Sequence, residues 1–217
     1  MTNELHLRSV QVSYDGITPV FAPVTERMVS GEIVAVTGMN GAGKSTLLAG
    51  ICGLLRPSDG HVTFRCDGTE RSDEQLRARC GYASPGMNLY EDLQAWEHVE
   101  FDANVRGRMD MLKHAEQSLE SFRLRSRSGS VVRDFSTGMK QRLKIILATY
   151  FHPDLLLLDE PTSNLDDEGF AVVAQHIRSA SDRGCIVLIA TNDERDRALC
   201  MREFRLSDHR QPKESLT

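Results

Sequence analysis

The order of apolar and polar positions divides the chain into strands and helices that alternate. Residues 5–14 read as a strand, with Leu5 and Leu7 in one phase and Val10, Val12 and Tyr14 in the other. The change of phase at Arg8-Ser9 predicts a β-bulge or a break into two short strands. Asp15-Gly16 is a turn, and residues 20–24 are expected to return as a second strand, limited by Pro19 and Pro23. Ile33-Val34-Ala35-Val36-Thr37 has the run of apolar residues expected of a strand covered on both faces. A glycine-rich loop over 38–43 follows, then a helix over 44–52 that packs Leu47, Leu48 and Ile51 and stops at Gly53. After the turn Pro57-Ser58-Asp59-Gly60, a short strand is expected over 61–65.

Residues 86–134 change character. Apolar residues such as Trp96, Val99 and Val105 fall at helical spacing among charged ones, and strand signals are few. This segment reads as a mostly helical lobe inserted into an α/β core, with the polar stretch 123–129 as its loop. From Thr137 the core resumes. Leu143, Ile146, Leu147 and Tyr150 form one helical face, and Leu155-Leu156-Leu157-Leu158 is an apolar strand ending in Asp159-Glu160. Phe170, Val173, Ala174 and Ile177 mark an amphipathic helix. Residues 185–190 are a further strand, residues 193–201 a further helix, and the tail from Ser207 is polar and expected to fray. Apolar strands between helices imply an α/β fold with a mostly parallel sheet covered on both faces, joined to an N-terminal antiparallel β part. One domain is expected, with a core over 1–85 and 135–206, the small inserted lobe over about 86–134, and the tail over 207–217.

Composition narrows the function classes. The 217 residues, 40% hydrophobic and 26% charged, suit one globular domain, and a net charge of −5 disfavours nucleic acid as the main partner. Cys52, Cys66, Cys80, Cys185 and Cys200 form no CxxC pair and no zinc-type cluster, so reduced cytosolic thiols are expected. The start, Met1-Thr2-Asn3-Glu4, lacks the basic-then-apolar plan of a signal peptide, and no apolar run approaches the roughly 20 residues of a membrane helix. Work at a membrane would therefore need a membrane-embedded partner.

Two motifs carry chemistry. Gly38-Met39-Asn40-Gly41-Ala42-Gly43-Lys44-Ser45 matches G-x-x-x-x-G-K-[ST] in full, between an apolar strand and a helix. A triphosphate needs backbone N–H groups curled inward, and glycine permits both the curl and the close approach. Lys44 supplies a positive charge for the β/γ-phosphates, Ser45 a hydroxyl for Mg²⁺, and the helix that follows presents its positive end. Asp159 and Glu160 end a buried strand, where α/β sheets bind ligands. Asp159 is placed to hold Mg²⁺, and Glu160 to orient and polarise the attacking water.

A third motif names a family. Phe135-Ser136-Thr137-Gly138-Met139-Lys140-Gln141-Arg142 resembles the ABC signature, and its serine precedes Asp159 by 23 positions. Pro161-Thr162-Ser163-Asn164-Leu165-Asp166 resembles the D-loop that follows the acid pair. Phosphate loop, signature, acid pair and D-loop in this order resemble the ATP-binding domain of ABC transporters over nearly the whole chain, with a P-loop NTPase core. The resemblance implies ATP hydrolysis with Mg²⁺ and closure of two ATPase domains, as a homodimer or with a related subunit, over two ATP molecules. Residues 38–46, Thr46 included, would bind ATP. Ser136 and Gly138 would contact the γ-phosphate held by the partner, Asp166 would connect the two sites, and Tyr14 would stack on adenine. It further implies a separate transmembrane permease, with this chain peripheral on the cytoplasmic face of the cell membrane. Within transporters, the Gly138-Met139-Lys140-Gln141-Arg142 ending, the small size and the short tail look most like the heme-exporter type.

Two positions depart from the family pattern. Alignment on Gly81-Tyr82 puts Pro85 where a glutamine is usual, and Ala190-Thr191-Asn192-Asp193 puts Asn192 in place of the switch histidine. Asn192 can donate a hydrogen bond to the γ-phosphate but cannot become a cation. Slower hydrolysis than in typical relatives is therefore expected. The alternative readings are a soluble ABC ATPase of the iron–sulfur assembly type, and a switch for which ATP binding matters more than turnover.

Overall fold

The computed structural model describes residues 2–207, so the expected tail lies, beyond Ser207, outside the described residues. β1 (Asn3–Gln11) pairs antiparallel with β2 (Val24–Val29). β3 (Ile33–Thr37) leads through the glycine loop to α1 (Lys44–Ile51). β4 (Asp59–Cys66) pairs antiparallel with β1, and β5 (Thr69–Glu70) with β4. α2 (Asp73–Arg79) then runs into β6 (Cys80–Ala83). No strand occurs between β6 and α5 (Thr137–Thr149), a stretch held by α3 (Ala95–Arg106), α4 (Leu112–Ser121) and short 3-10 turns. β7 (Leu155–Asp159), α6 (Asp167–Asp182), β8 (Ile186–Ala190), α7 (Glu194–Arg197) and β9 (Arg202–Arg205) complete the order.

The strands form two sheets. The antiparallel one runs β2-β1-β4-β5, and the other, parallel throughout, runs β6-β7-β8-β3-β9. Period-two alternation explains why the central strands are apolar at every position. Leu156, Leu158, Val187 and Ile189 face a core shared with α5, α6 and the helices of 95–124. Leu155, Leu157, Ile186 and Leu188 face the opposite core, shared with α1 and the antiparallel sheet. The phase change in β1 is a bulge: Ser9 has φ 49°, and the pairing slips on both sides of it.

Several elements differ from expectation. The second strand is β2, not residues 20–24, around which the sheet gains only isolated contacts such as the Ser13–Pro19 bridge. Pro19 and Pro23 have no N–H to donate to a ladder. β2 is an edge strand with only Val24 and Met28 buried, so Glu26 and Arg27 mask its pattern. The last helix is one turn, α7, because the chain leaves it to add β9 to the sheet edge, beginning where the Met201 N–H donates to the Ile33 carbonyl at 2.8 Å. Three of the four residues of β9 are charged, and its Arg202 pairs with Glu26 and Glu32. α2 has a legible start, a capping box in which Ser72 and Gln75 exchange hydrogen bonds of 3.1 and 3.3 Å.

α5 rests directly on β6, and Gly81 makes that approach possible. A methyl group there would stand 2.0 Å from the Ala148 carbonyl oxygen. Gly81→Ala is therefore expected to force α5 away from the sheet and to destabilise the fold by about 3 kcal/mol, measurable as a lower urea midpoint.

Candidate functional site

Register fixes the site. In the parallel sheet Val36 and Asp159 both pair with Ala190, so β3, β7 and β8 end side by side and their following loops meet at one edge. The loop after β3 is held in shape by its ends. At Gly38 (φ 148°) a side chain would meet the Leu206 carbonyl oxygen at 2.8 Å, and at Gly43 (φ 93°) it would meet Val20 at 2.7 Å and Phe21 at 2.8 Å. Met39, Asn40 and Gly41 form the exposed tip, while Ala42 is buried and its N–H donates to the Met39 carbonyl at 3.0 Å. Lys44 is buried and reaches back across the loop, donating to the Gly38 carbonyl at 2.9 Å and the Met39 carbonyl at 3.3 Å. Its ammonium thus lies within the curl of the loop, at the N-terminus of α1.

The acid pair adjoins this cradle. Asp159 is buried, and its carboxyl is raised above the usual range by loss of solvent, with the Ser45 hydroxyl and the Lys44 charge pulling it down and Glu160 pushing it up. Ser45 and Asp159 thus offer a hydroxyl and a carboxylate side by side. These are hard oxygen donors, and Mg²⁺ is commonly held by one or two protein oxygens together with substrate phosphates. Among the described residues no cluster of three or more histidines, cysteines and carboxylates forms a self-sufficient metal cage. Glu160 is exposed and adopts φ 47°, a left-handed conformation that costs about 1–2 kcal/mol in a residue with a side chain. Its N–H donates to the Ala190 carbonyl at 2.9 Å, which ties the turn after β7 to the end of β8.

Asn192 follows β8 and is exposed. Its amide donates to the Asn40 side chain at 3.0 Å, so the residue in place of the switch histidine reaches the tip of the phosphate loop. Behind it lies a group that sequence reasoning missed. Asp196 is 1% exposed and accepts hydrogen bonds from Thr162 at 2.7 Å and Thr191 at 2.9 Å. One buried carboxylate therefore joins the loop carrying Glu160 to the loop carrying Asn192. Lying among the charges of α7, Asp196 carries no sequence signal that separates it from a surface acid.

Tyr14, Ser45, Thr46, Pro85, Asp159 and Glu160 line a cavity of about 800 Å³ that opens at this edge. Tyr14 lies in the bend after β1 rather than in the strand, is 72% exposed, and its hydroxyl is 2.9 Å from that of Thr46. Asp15 fixes that bend: backbone N–H groups of Thr18 and Ile17, with the Ser13 hydroxyl, hold its carboxyl well below the usual range. Pro85 reaches the cavity with no side-chain donor. Its carbonyl and that of Ser84 accept from Lys144 of α5 at 2.9 and 3.1 Å.

Ser136, Gly138 and Asp166 do not line that cavity. Ser136 caps α5, accepting from the Met139 N–H at 3.2 Å, and Asp166 caps α6, accepting from the Gly169 N–H at 2.8 Å. Arg142 of α5 donates to Asp166 at 3.0 Å, and buried Gln141 donates to the Pro161 carbonyl at 3.0 Å. The helix that begins at the signature thus holds the turn that carries Glu160, while its capped start lies outside the cavity beside this chain's own phosphate loop.

Comparison with known proteins agrees with this geometry. The family model described as ABC transporter matches residues 21–163. A lipoprotein-releasing system ATP-binding protein, LolD 1 of Caulobacter vibrioides, is 33% identical over 97% of the chain and 95% of its own length. A solved ATP-binding subunit of an ABC transporter superposes with a TM-score of 0.83 at 29% identity, covering 94% of this chain and 85% of that one. A dimeric ATP-binding cassette in a post-hydrolysis state with ADP and Pi superposes with a TM-score of 0.82 at 26% identity, covering 94% of both chains.

If Asp196 aligns the two loops, Asp196→Asn lowers the turnover number about tenfold and leaves ATP affinity within about twofold, since no phosphate contact is lost. Steady-state phosphate release with equilibrium ATP binding checks this. A matching loss of affinity would instead point to collapse of the whole edge.

Proposed function

The chain belongs to the ABC transporter ATP-binding family, and from that premise we propose how its own residues bind and hydrolyse ATP. The observation that carries the proposal is the meeting of the phosphate loop, Ser45, Asp159, Glu160 and Asn192 at one edge of the sheet. Backbone N–H groups of residues 38–46 and the Lys44 ammonium receive the triphosphate, and Tyr14 offers its exposed ring to the adenine. Ser45 and Asp159 are the residues that hold Mg²⁺. The ion, when bound, neutralises charge that develops on the β- and γ-phosphates. Glu160 orients and polarises the attacking water by accepting a hydrogen bond from it, and Asn192 donates to the γ-phosphate from the opposite loop. Ser136 and Gly138 complete the site on a second ATPase domain, which explains why they stand apart from the cavity of their own chain.

ABC ATPases act with a transmembrane partner, and no described helix of this chain is long and apolar enough to cross a membrane. We assign the docking of a separate permease to the helical lobe, which places the chain at the cytoplasmic face of the membrane. Tyr90, Phe101, Val105 and Met109, all more than half exposed, give that lobe an apolar surface suited to a partner segment. The cargo is set by that partner. One observation favours the second reading, an ATP-gated switch with slow turnover: Pro85 presents only a carbonyl to the site, and that carbonyl is already taken by Lys144.

Glu160→Gln is expected to cut phosphate release at least about a hundredfold while ATP still binds, as read by single-turnover hydrolysis and a binding titration. Retained hydrolysis would remove Glu160 from its role. Asn192→His is expected to raise turnover several-fold, because a chargeable donor then faces the γ-phosphate; a fall would mean that the site is tuned to asparagine.

A further inference from the structure

Away from the nucleotide edge, a cavity of about 240 Å³ opens where α4 meets the end of α5 and α6. His114 comes from α4, His152 from the turn after α5, His176 from α6, and Arg183 follows α6. Hydroxyl and amide side chains make up most of the remaining wall, and no carboxylate lines it. The His114 and His152 rings meet edge to face with centroids 4.7 Å apart. His176 packs on Phe122 at 4.6 Å, and its Nε2 lies 2.9 Å from the Ser121 hydroxyl. That hydroxyl already donates to the Ser118 carbonyl at 2.9 Å, so it accepts from the His176 Nε2–H and leaves Nδ1 without that proton in the neutral ring. Arg183 donates to the Ser179 hydroxyl at 2.8 Å, and Asp182, its neighbour in the chain, does not line the cavity.

The charges acting on these imidazoles have one sign. Burial, then Arg183, His114 and Arg108, hold His152 down at about 4; burial, then Arg183, lowers His176. In a chain of net charge −5, this is a concave place lined by imidazoles, hydroxyls and the Arg183 guanidinium, with no carboxylate in its wall. The Tyr150 hydroxyl donates to Asp102 outside it and the Thr149 hydroxyl to the Ile145 carbonyl, so Arg183 and the imidazoles are the groups open to a ligand. Its volume falls below the roughly 300 Å³ at which pockets for drug-sized ligands begin, which suits a small group and not a nucleotide.

We propose that this cavity binds a small tetrahedral oxyanion of the phosphate class, held by Arg183 and the three histidines. Such an ion satisfies Arg183, favours the protonated imidazoles, and joins α4 to the end of α5 and to α6 through a single ligand.

The test uses the full chain saturated with Mg²⁺ and a non-hydrolysable ATP analogue, whose γ-phosphate fills the place that free phosphate could take beside the phosphate loop. Inorganic phosphate is titrated at constant ionic strength while the histidine Cε1–H resonances are followed. Saturable shifts are expected at His114, His152 and His176, with the His152 titration midpoint rising from about 4 toward the ordinary histidine value. Arg183→Gln is expected to weaken the phosphate response about tenfold or more with ATP hydrolysis unchanged, and His152→Gln to weaken it as an independent variant. Equal shifts with chloride at the same ionic strength, or a phosphate titration that neither variant alters, would overturn the site.

Discussion

Parallel pairing of β3, β7 and β8 in a single register is the constraint on which the rest depends. It brings Thr37, Asp159 and Ala190 to the same edge, and the phosphate loop, Glu160 and Asn192 follow directly after them. Parallel strands cannot be joined by tight turns, so α1, α5 and α6 must cross the sheet, and their packing makes both faces apolar. A strand slipped by one residue would send Leu156 and Leu158 toward the wrong core and move Asp159 out of reach of Ser45. The energetic cost of misregister and the loss of the site are therefore one event.

Within that frame, polar groups do the fine positioning. Lys44 and Asp159 are both buried at the edge, each partly answered by the other's charge, and both are arranged for a ligand carrying phosphates and a cation. Asp196 and Gln141 hold the turn after β7 from two sides, one from the loop after β8 and one from the signature helix. Through Gln141 the helix that starts at Ser136 is bonded to Pro161, the residue next to Glu160. Lys144 carries the same helix to the Pro85 loop. α5 is thus the common support of two loops, the one after β7 and the one after β6.

Much of this was legible in the sequence because strong local signals and long-range demands coincide. Residues 33–52 could be read directly, since the glycines, Lys44 and the apolar strand serve one purpose in one short stretch. The acid pair was also visible, because two carboxylates end an apolar strand downstream of a full phosphate loop, although an acid there can also serve only to cap a following helix. Edge elements were hidden for the converse reason. β2 and β9 face solvent on one side, so their residues follow no clean period, and only the pairing partner defines them. Asp196 could not be singled out, for its role comes from two threonines 5 and 34 positions away that fold onto it. Asn192 was visible as a departure, but its contact with Asn40 exists only because two loops distant in sequence share an edge.

In the proposed dimer each chain gives its phosphate loop and acid pair to one nucleotide site and its signature to the other. Mixing two inactive variants tests it most directly. Lys44→Ala removes the phosphate-binding half, and Gly138→Asp blocks the signature half. A symmetric dimer of either has no intact site, whereas a mixed dimer has one. Phosphate release by the mixture is predicted to recover to roughly a quarter of the wild-type rate if the chains pair at random. A mixture that stays as inactive as its components, although ATP drives the two to associate, would contradict the shared site.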